Sequence, residues 1–297
     1  MPHEPHDPAP PMIAPSGNWF SAFARRQPLV VFFCLAYLFG WIAFLPLVLA
    51  YFGVRSIRND AEFAAVIIIG TSSPTVAASI TQWWLDRSFR ICRFRTSARH
   101  FLLGLLVGVA SIEMALVVLP AIVLAKDSPL HLHWPAMWSP AVLWASWSTF
   151  LGGPVNEEAG WRGFALPRLQ TRFGPVLGSI LLGALWAGWH FPMLLIHSYS
   201  VPVWAFFLID ICVSILITWG ANLARFSIVV PMLMHAVFNA TDRQLAAVCQ
   251  GVPVREPALL YYLIAAGLVA TVCILLTRGR LGRVTVEAAR QNAGTAT

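Results

Sequence analysis

Apolar runs of membrane-spanning length follow one another along this chain with short polar breaks between them. They cover residues 29–52, 61–85, 101–125, 139–169, 174–198, 202–223, 227–248 and 258–277. A hydrocarbon core about 30 Å thick takes about 20 helical residues to cross, and each run meets or approaches that length. No repeat of fixed period is visible, and no linker is long enough to separate two domains. The pattern predicts an all-α polytopic membrane protein: one bundle of about eight transmembrane helices over residues 29–277. Residues 1–28, rich in proline and without a basic start or a cleavage-site pattern, read as a short disordered tail, and 278–297 as a basic tail.

Composition agrees with that pattern and narrows the function classes. The 297 residues are 58% apolar and 11% charged, with mean hydropathy +0.70; soluble domains carry about a quarter charged residues. A soluble enzyme, a secreted disulfide scaffold and a nucleic-acid-binding module are excluded. The net charge of +7 is a matter of topology. With the N-terminus cytoplasmic, fifteen of the 20 basic residues fall on the cytoplasmic side, leaving Arg55, Arg58, Lys126, Arg243 and Arg255 outside. That asymmetry is the one expected of eight helices with both termini cytoplasmic. Lys126 is the one lysine among many arginines, a usage that hints at a GC-rich, bacterial genome and so a bacterial cell membrane. The five cysteines are scattered and form no Cys-x-x-Cys, so neither a disulfide framework nor a structural zinc site is expected.

The informative residues are the polar ones inside the apolar runs, since each costs at least a few kcal/mol at membrane depth. They are Glu113, Glu157, Glu158 and Asp210 among the acids, and His190, His197 and His235 among the histidines. Glu157 and Glu158 are adjacent, and two carboxylates in low dielectric repel unless one finds a counter-charge or a proton. Glu158 and Arg162 are four apart and share a helix face. Glu157 sits about 100° around the helix, free for chemistry; the bland alternative has both acids in a structural network with Arg162. His235 and Asn239 are again four apart, reading either as donors aimed at a common point or as an interhelical clamp. Taken alone, His190, in Trp186-Ala187-Gly188-Trp189-His190, reads first as a packing histidine, His197 as interfacial, and Glu113 and Asp210 as helix-contact or cavity residues.

Together these elements are far more specific. The sequence resembles the CPBP intramembrane proteases, which comprise CAAX-processing endopeptidases and bacteriocin-processing or immunity proteins. Their pattern is Glu-Glu-x-x-x-Arg, then Phe-x-x-x-His, then His-x-x-x-Asn or Asp, on three helices of an eight-helix core. Glu157, Glu158 and Arg162 match the first element, His190 the second and His235 with Asn239 the third. Trp186 stands where the second element usually has Phe, an exchange expected to alter only local pocket shape. The resemblance covers residues 139–242. It implies an endopeptidase in which Glu157 is the general base, His190 helps hold the water, His235 and Asn239 stabilise the oxyanion, and Glu158 and Arg162 hold the architecture. The substrate implied is a membrane-associated, CAAX-like peptide or lipidated protein; no nucleic acid and no cofactor are implied. Two alternatives stay open. Glu157, His190 and His235 could bind Zn²⁺ with water in the fourth position, although Asn239 suits an oxyanion role better than a zinc one. A non-catalytic membrane protein of self-immunity, scaffolding or transport type could use the same polar pocket. Oligomeric state is not legible.

Depth offers a test of whether the elements meet. At about 1.5 Å per helical residue, Glu157 counted from Arg168 lies roughly 16 Å from the cytoplasmic end and His235 counted from Ile228 about 10 Å. His190 counted from Gly174 lies roughly 24 Å deep, too deep for the other two unless the chain after Gly174 starts outside the hydrocarbon or tilts. Gly152-Gly153-Pro154 ahead of the glutamates is expected to break the fourth helix and open a polar cavity reached from the cytoplasmic half.

Overall fold

The computed structural model describes residues 19–127, 131–199, 201–250 and 256–283. Within them the chain is an all-α polytopic membrane protein, with an isolated bridge between Arg93 and Ser227 in place of any strand. In chain order the helices are α1 (Trp19–Arg26), α2 (Pro28–Tyr51), α3 (Asp60–Thr71), α4 (Ser73–Asp86), α5 (Ala98–Glu113) and α6 (Leu119–Asp127). After a 3₁₀ turn at Trp134–Trp138 come α7 (Pro140–Gly152), α8 (Pro154–Glu158), α9 (Leu166–Trp189), α10 (Phe191–Leu195), α11 (Val203–Leu223), α12 (Val229–Phe238), α13 (Thr241–Val248) and α14 (Glu256–Leu276). Wider π turns at Met114–Val118 and Ala159–Ala165 join α5 to α6 and α8 to α9. The tail expected to be disordered through residue 28 is helical from Trp19 to Arg26, and Pro28 already opens α2; residues 1–18, and the basic tail after residue 283, lie outside the described residues.

Among the described residues, five helical stretches are long and apolar enough to cross a membrane: Pro28–Tyr51, Asp60–Asp86, Ala98–Lys126, Val203–Leu223 and Leu259–Leu276. They correspond to the first, second, third, sixth and eighth expected segments. The other three segments carry the whole motif, and each is interrupted. The fourth breaks at Gly153, where the backbone is non-helical (φ −145°, ψ −74°). The fifth ends at Trp189 and turns at His190. The seventh divides into α12 and α13 around Asn239 and Ala240. Non-helical backbone at membrane depth is tolerated where it is buried in protein or lines a cavity, so these breaks mark where the polar interior lies.

The outer surface is apolar, as lipid contact requires: Leu38 and Ile42 on α2, Leu102 and Leu106 on α5, and Leu268, Leu275 and Leu276 on α14 are all exposed. With lipid as apolar as the side chains, helix association rests on close packing and polar contacts rather than on the hydrophobic effect. α11 is the hub, packed on α9, α5, α14 and α12, while α2 lies along α3 and α4. The π turn at Ala159–Ala165 presses on α4 so closely that a Cβ added at Gly160 would overlap the carbonyl carbon and oxygen of Pro74. Three fully buried tryptophans, Trp161, Trp186 and Trp189, fill the centre, and Trp161 meets Phe32 and Trp189 edge-on at 5.5 and 5.8 Å between ring centroids.

Between the two halves of α9 the chain reverses. Gly174 has φ +78° and ψ 170°, a combination open to glycine at little cost because it has no Cβ. The arm after it folds back on the arm before it: a Cβ at Gly178 would be 3.1 Å from the backbone nitrogen of Gln170. Gln170 and Asn222 exchange reciprocal amide hydrogen bonds of 3.1 and 3.2 Å, and Asn222 also donates to the carbonyl of Leu281 at 2.9 Å. The hairpin is thereby tied to α11 and to the C-terminal turn.

Candidate active site

The break at Gly153 sets the first element. α8 begins there, with the N–H groups of Asn156 and Glu157 donating to the Gly153 carbonyl at 2.9 and 3.0 Å. Asn156 stitches the break to its surroundings, its side chain donating to the Leu151 carbonyl and its own carbonyl accepting from Thr75. Glu157 and Glu158 follow in the new first turn, both buried, and point to different partners as their spacing predicts.

Glu158 is neutralised from two sides. Its Oε1 accepts from Arg162 Nη1 at 2.7 Å and is 2.8 Å from His235 Nδ1. The Arg162 and Glu158 side chains are entirely shielded from solvent, and Arg162 stacks its guanidinium 4.5 Å from the Trp186 ring. The charge asymmetry counts Arg162 with the cytoplasmic loops; its burial moves it to the interior and leaves fourteen basic residues for that face. Glu157 has a different environment. Its Oε2 accepts from Trp161 Nε1 at 3.2 Å and from Trp186 Nε1 at 3.1 Å, and no cation is bonded to it among the described residues. Its other oxygen faces the break: a Cβ added at Gly153 would be 3.2 Å from Glu157 Oε1 and 3.8 Å from Asn239 Nδ2. Glu157 and Asn239 thus flank one gap, the space that a side chain at Gly153 would occupy.

His190 completes the arrangement at its edge. Its Nδ1 is 2.9 Å from the Trp186 carbonyl and 3.9 Å from Asp210 Oδ2, and its ring meets Trp186 edge-on at 5.8 Å. His235 meets the same indole edge-on at 4.8 Å. The depth disagreement disappears in this geometry. The first arm runs on to Gly174 rather than ending near Arg168, so Glu157 lies seventeen residues before the turn and His190 sixteen after it. The two arms reach the same level when both are counted from their common turn.

Three features are not legible in the motif. Trp186, expected to alter pocket shape alone, donates a hydrogen bond to Glu157, which Phe cannot do. Trp161, which the motif leaves unassigned, donates the second. Asp210, expected to be a helix-contact residue, approaches His190 with its Oδ2 otherwise unpartnered among the described residues. A run of Trp at positions facing an acid is the available signal, but only the fold says which indole edge meets it. Glu113 is a helix contact as expected, accepting from Gln244 Nε2 at 2.8 Å. His197 is exposed beside Tyr51.

The Nδ1 of His190 meets the Trp186 carbonyl and that of His235 meets Glu158, which leaves Nε2 as the atom either ring could offer a metal; no group of three His, Cys, Asp or Glu among the described residues is placed to hold a metal ion.

Comparison with known proteins gives the same region. Residues 137–241 match the family Type II CAAX prenyl endopeptidase Rce1-like. CAAX prenyl protease 2 of Methanococcus maripaludis is 33% identical to this chain over 119 residues, which are 37% of this chain and 44% of that protein. The chain therefore matches less than half the length of that curated relative. The matched residues contain Glu157, Glu158, Arg162, Trp186, His190, His235 and Asn239, within two residues at each end of the span that the motif marks out. Through the segment that carries this site, the chain is similar to the Rce1-like family of CAAX prenyl endopeptidases.

Proposed function

We propose that this membrane protein is an intramembrane endopeptidase that hydrolyses a peptide bond of a membrane-associated, CAAX-like substrate, prenylated or not, with water activated by Glu157. The observation that carries the reading is the contrast between two adjacent acids. Glu158 is engaged by Arg162 and His235, whereas Glu157 is held by neutral donors and turns a second oxygen to an open gap. A carboxylate without a bonded cation keeps its capacity to take a proton, as a general base must.

The steps follow from the groups around that gap. Glu157 takes a proton from water as the water oxygen attacks the scissile carbonyl, and the carbonyl π electrons move onto oxygen. With its Nδ1–H given to the Trp186 carbonyl, His190 presents Nε2 as an acceptor that orients the same water. Asn239 Nδ2 and His235 donate to the resulting oxyanion. His235 gives its Nδ1–H to Glu158, so its Nε2 donates only as the imidazolium, whose charge Glu158 balances. Collapse of the intermediate breaks the C–N bond, and the proton held by Glu157 passes to the leaving amine. No step runs through a metal.

The test compares purified wild type with Glu157→Gln in detergent, using prenylated and unprenylated CAAX-type peptides. The amide oxygen of Gln still accepts from both indoles, so the variant is expected to fold and to lose about 10²–10⁴-fold in rate. Equal product from both proteins sinks the catalytic reading and favours a non-catalytic pocket. Activity that disappears in EDTA or 1,10-phenanthroline sinks the metal-free mechanism; activity unchanged in both is the expected result.

A further inference from the structure

The two indoles on Glu157 have a role that hydrogen-bond satisfaction alone does not require. We propose that Trp161 and Trp186 are positioning residues that fix the general base by saturating one carboxylate oxygen, Oε2, so that Oε1 is the one presented to the gap between Gly153 and Asn239. The proposal rests on the assignment of Glu157 as base and deepens it.

The geometry supports a clamp. Both donors converge on the same atom, at 3.2 and 3.1 Å, and a carboxylate oxygen has about two lone-pair sites. They approach from different elements, Trp161 from the π turn and Trp186 from the returning arm of α9, so rotation of the carboxylate about its terminal bond breaks both contacts at once. Neither ring has room to follow. Trp161 is wedged among Phe32, Phe33 and Trp189. Trp186 is held between the Arg162 guanidinium and the rings of His235 and Phe238. The donors are also neutral. An arginine in either place would fix the carboxylate equally well but compete for the charge that takes up the proton; an indole N–H orients it and leaves the charge in place. At residue 186 a Phe would fill the space without reaching Glu157, so the family's usual residue leaves the carboxylate with one donor instead of two.

The experiment removes the N–H and keeps the ring. β-(3-Benzothienyl)alanine at position 186, which replaces the indole N–H by sulfur, is compared with Trp186→Phe, Trp161→Phe, Glu157→Gln and wild type on one peptide substrate. Loss of a donor lets the base swing away from its attack position, and displacements of about 1 Å cost up to roughly 100-fold. The expected result is a fall in kcat of roughly tenfold to 100-fold for each Trp variant, with KM within about twofold of wild type. Alongside, the indole ¹⁵N–¹H signals missing from the Trp161→Phe and Trp186→Phe spectra should be the two that shift in Glu157→Leu. A benzothienylalanine protein with wild-type kcat, or indole signals indifferent to Glu157→Leu, overturns the clamp. If Trp186→Phe does not fold, the benzothienylalanine protein and Trp161→Phe decide. Should Glu157→Gln retain activity, the assignment of the base has failed; if it is inactive while the Trp variants are not, the clamp alone has failed.

Discussion

Replacing Arg162 by Met, with and without Glu158→Gln, separates what the buried ion pair does for stability from what it does for the site. Both side chains are fully shielded, and the other polar partner of Glu158 is His235 at 2.8 Å. Arg162→Met leaves the buried Glu158 with His235 as its remaining polar partner among the described residues and also removes the guanidinium stacked on Trp186. Breaking one side of a buried pair costs about 3–5 kcal/mol, which for a domain of this size is roughly 6–20 °C in thermal midpoint. The double variant should recover most of that loss. Removing both charges erases their desolvation cost, and Arg162 Nε and Nη2 already lack hydrogen-bond partners among the described residues, so the wild-type pair carries more penalty than a well-satisfied one. Activity should not recover with stability, because the neutral amide introduced by Glu158→Gln no longer balances an imidazolium at His235. The assay is a thermal scan of the four purified proteins in one detergent, paired with peptide hydrolysis below the lowest midpoint. The reasoning is refuted if the double variant is as unstable as the sum of the single ones, or if hydrolysis returns with the midpoint.

Asn239→Ala should lower kcat by about 10²–10³-fold, as loss of one oxyanion donor does, with little change in midpoint because its side chain is only partly buried; a rate within about threefold of wild type would remove Asn239 from the site. Gly160→Ala drives a methyl group into the Pro74 carbonyl; since backbone must move to admit it, a loss of about 1–3 kcal/mol or more is expected, read as a lower midpoint or lost expression. Gln244→Leu strips the buried Glu113 of its donor and should cost about 1–3 kcal/mol while leaving kcat unchanged, since among the described residues neither side chain is bonded to Glu157, His190, His235 or Asn239; a large kcat effect would show that the two polar centres are coupled.

The long uninterrupted spans can be read from hydropathy because lipid contact makes a helix apolar on every side. The motif residues are legible for the opposite reason: a charge at membrane depth stands out against its neighbours. The breaks are legible only where Gly and Pro cluster. Gly152-Gly153-Pro154 announces one, but Gly174-Pro175, which by sequence suits an interfacial start, is a reversal, and the separation of α12 from α13 has no such marker in Asn239-Ala240. The π turn at Ala159–Ala165 has no composition signal at all. Trp186 and Asp210 escape a local reading because their importance lies in partners 29 residues away, at Glu157, and on a different helix, at His190. No local pattern encodes which edge of a ring a distant carboxylate will meet.

The reversal at Gly174 has a consequence for how this chain can change its length. Because the levels of Glu157 and His190 are both counted from that turn, the alignment of the two side chains is stored as a number of residues. One residue inserted in either arm would advance that arm by about 1.5 Å and rotate it by about 100°, carrying its side chain out of the site even though every motif residue remained. A residue inserted at the tip leaves both counts intact. The hairpin works as a ruler, tolerant of edits at its zero mark and intolerant along its scale. Insertions and deletions should therefore inactivate this protein at positions far from the gap where substitutions do nothing.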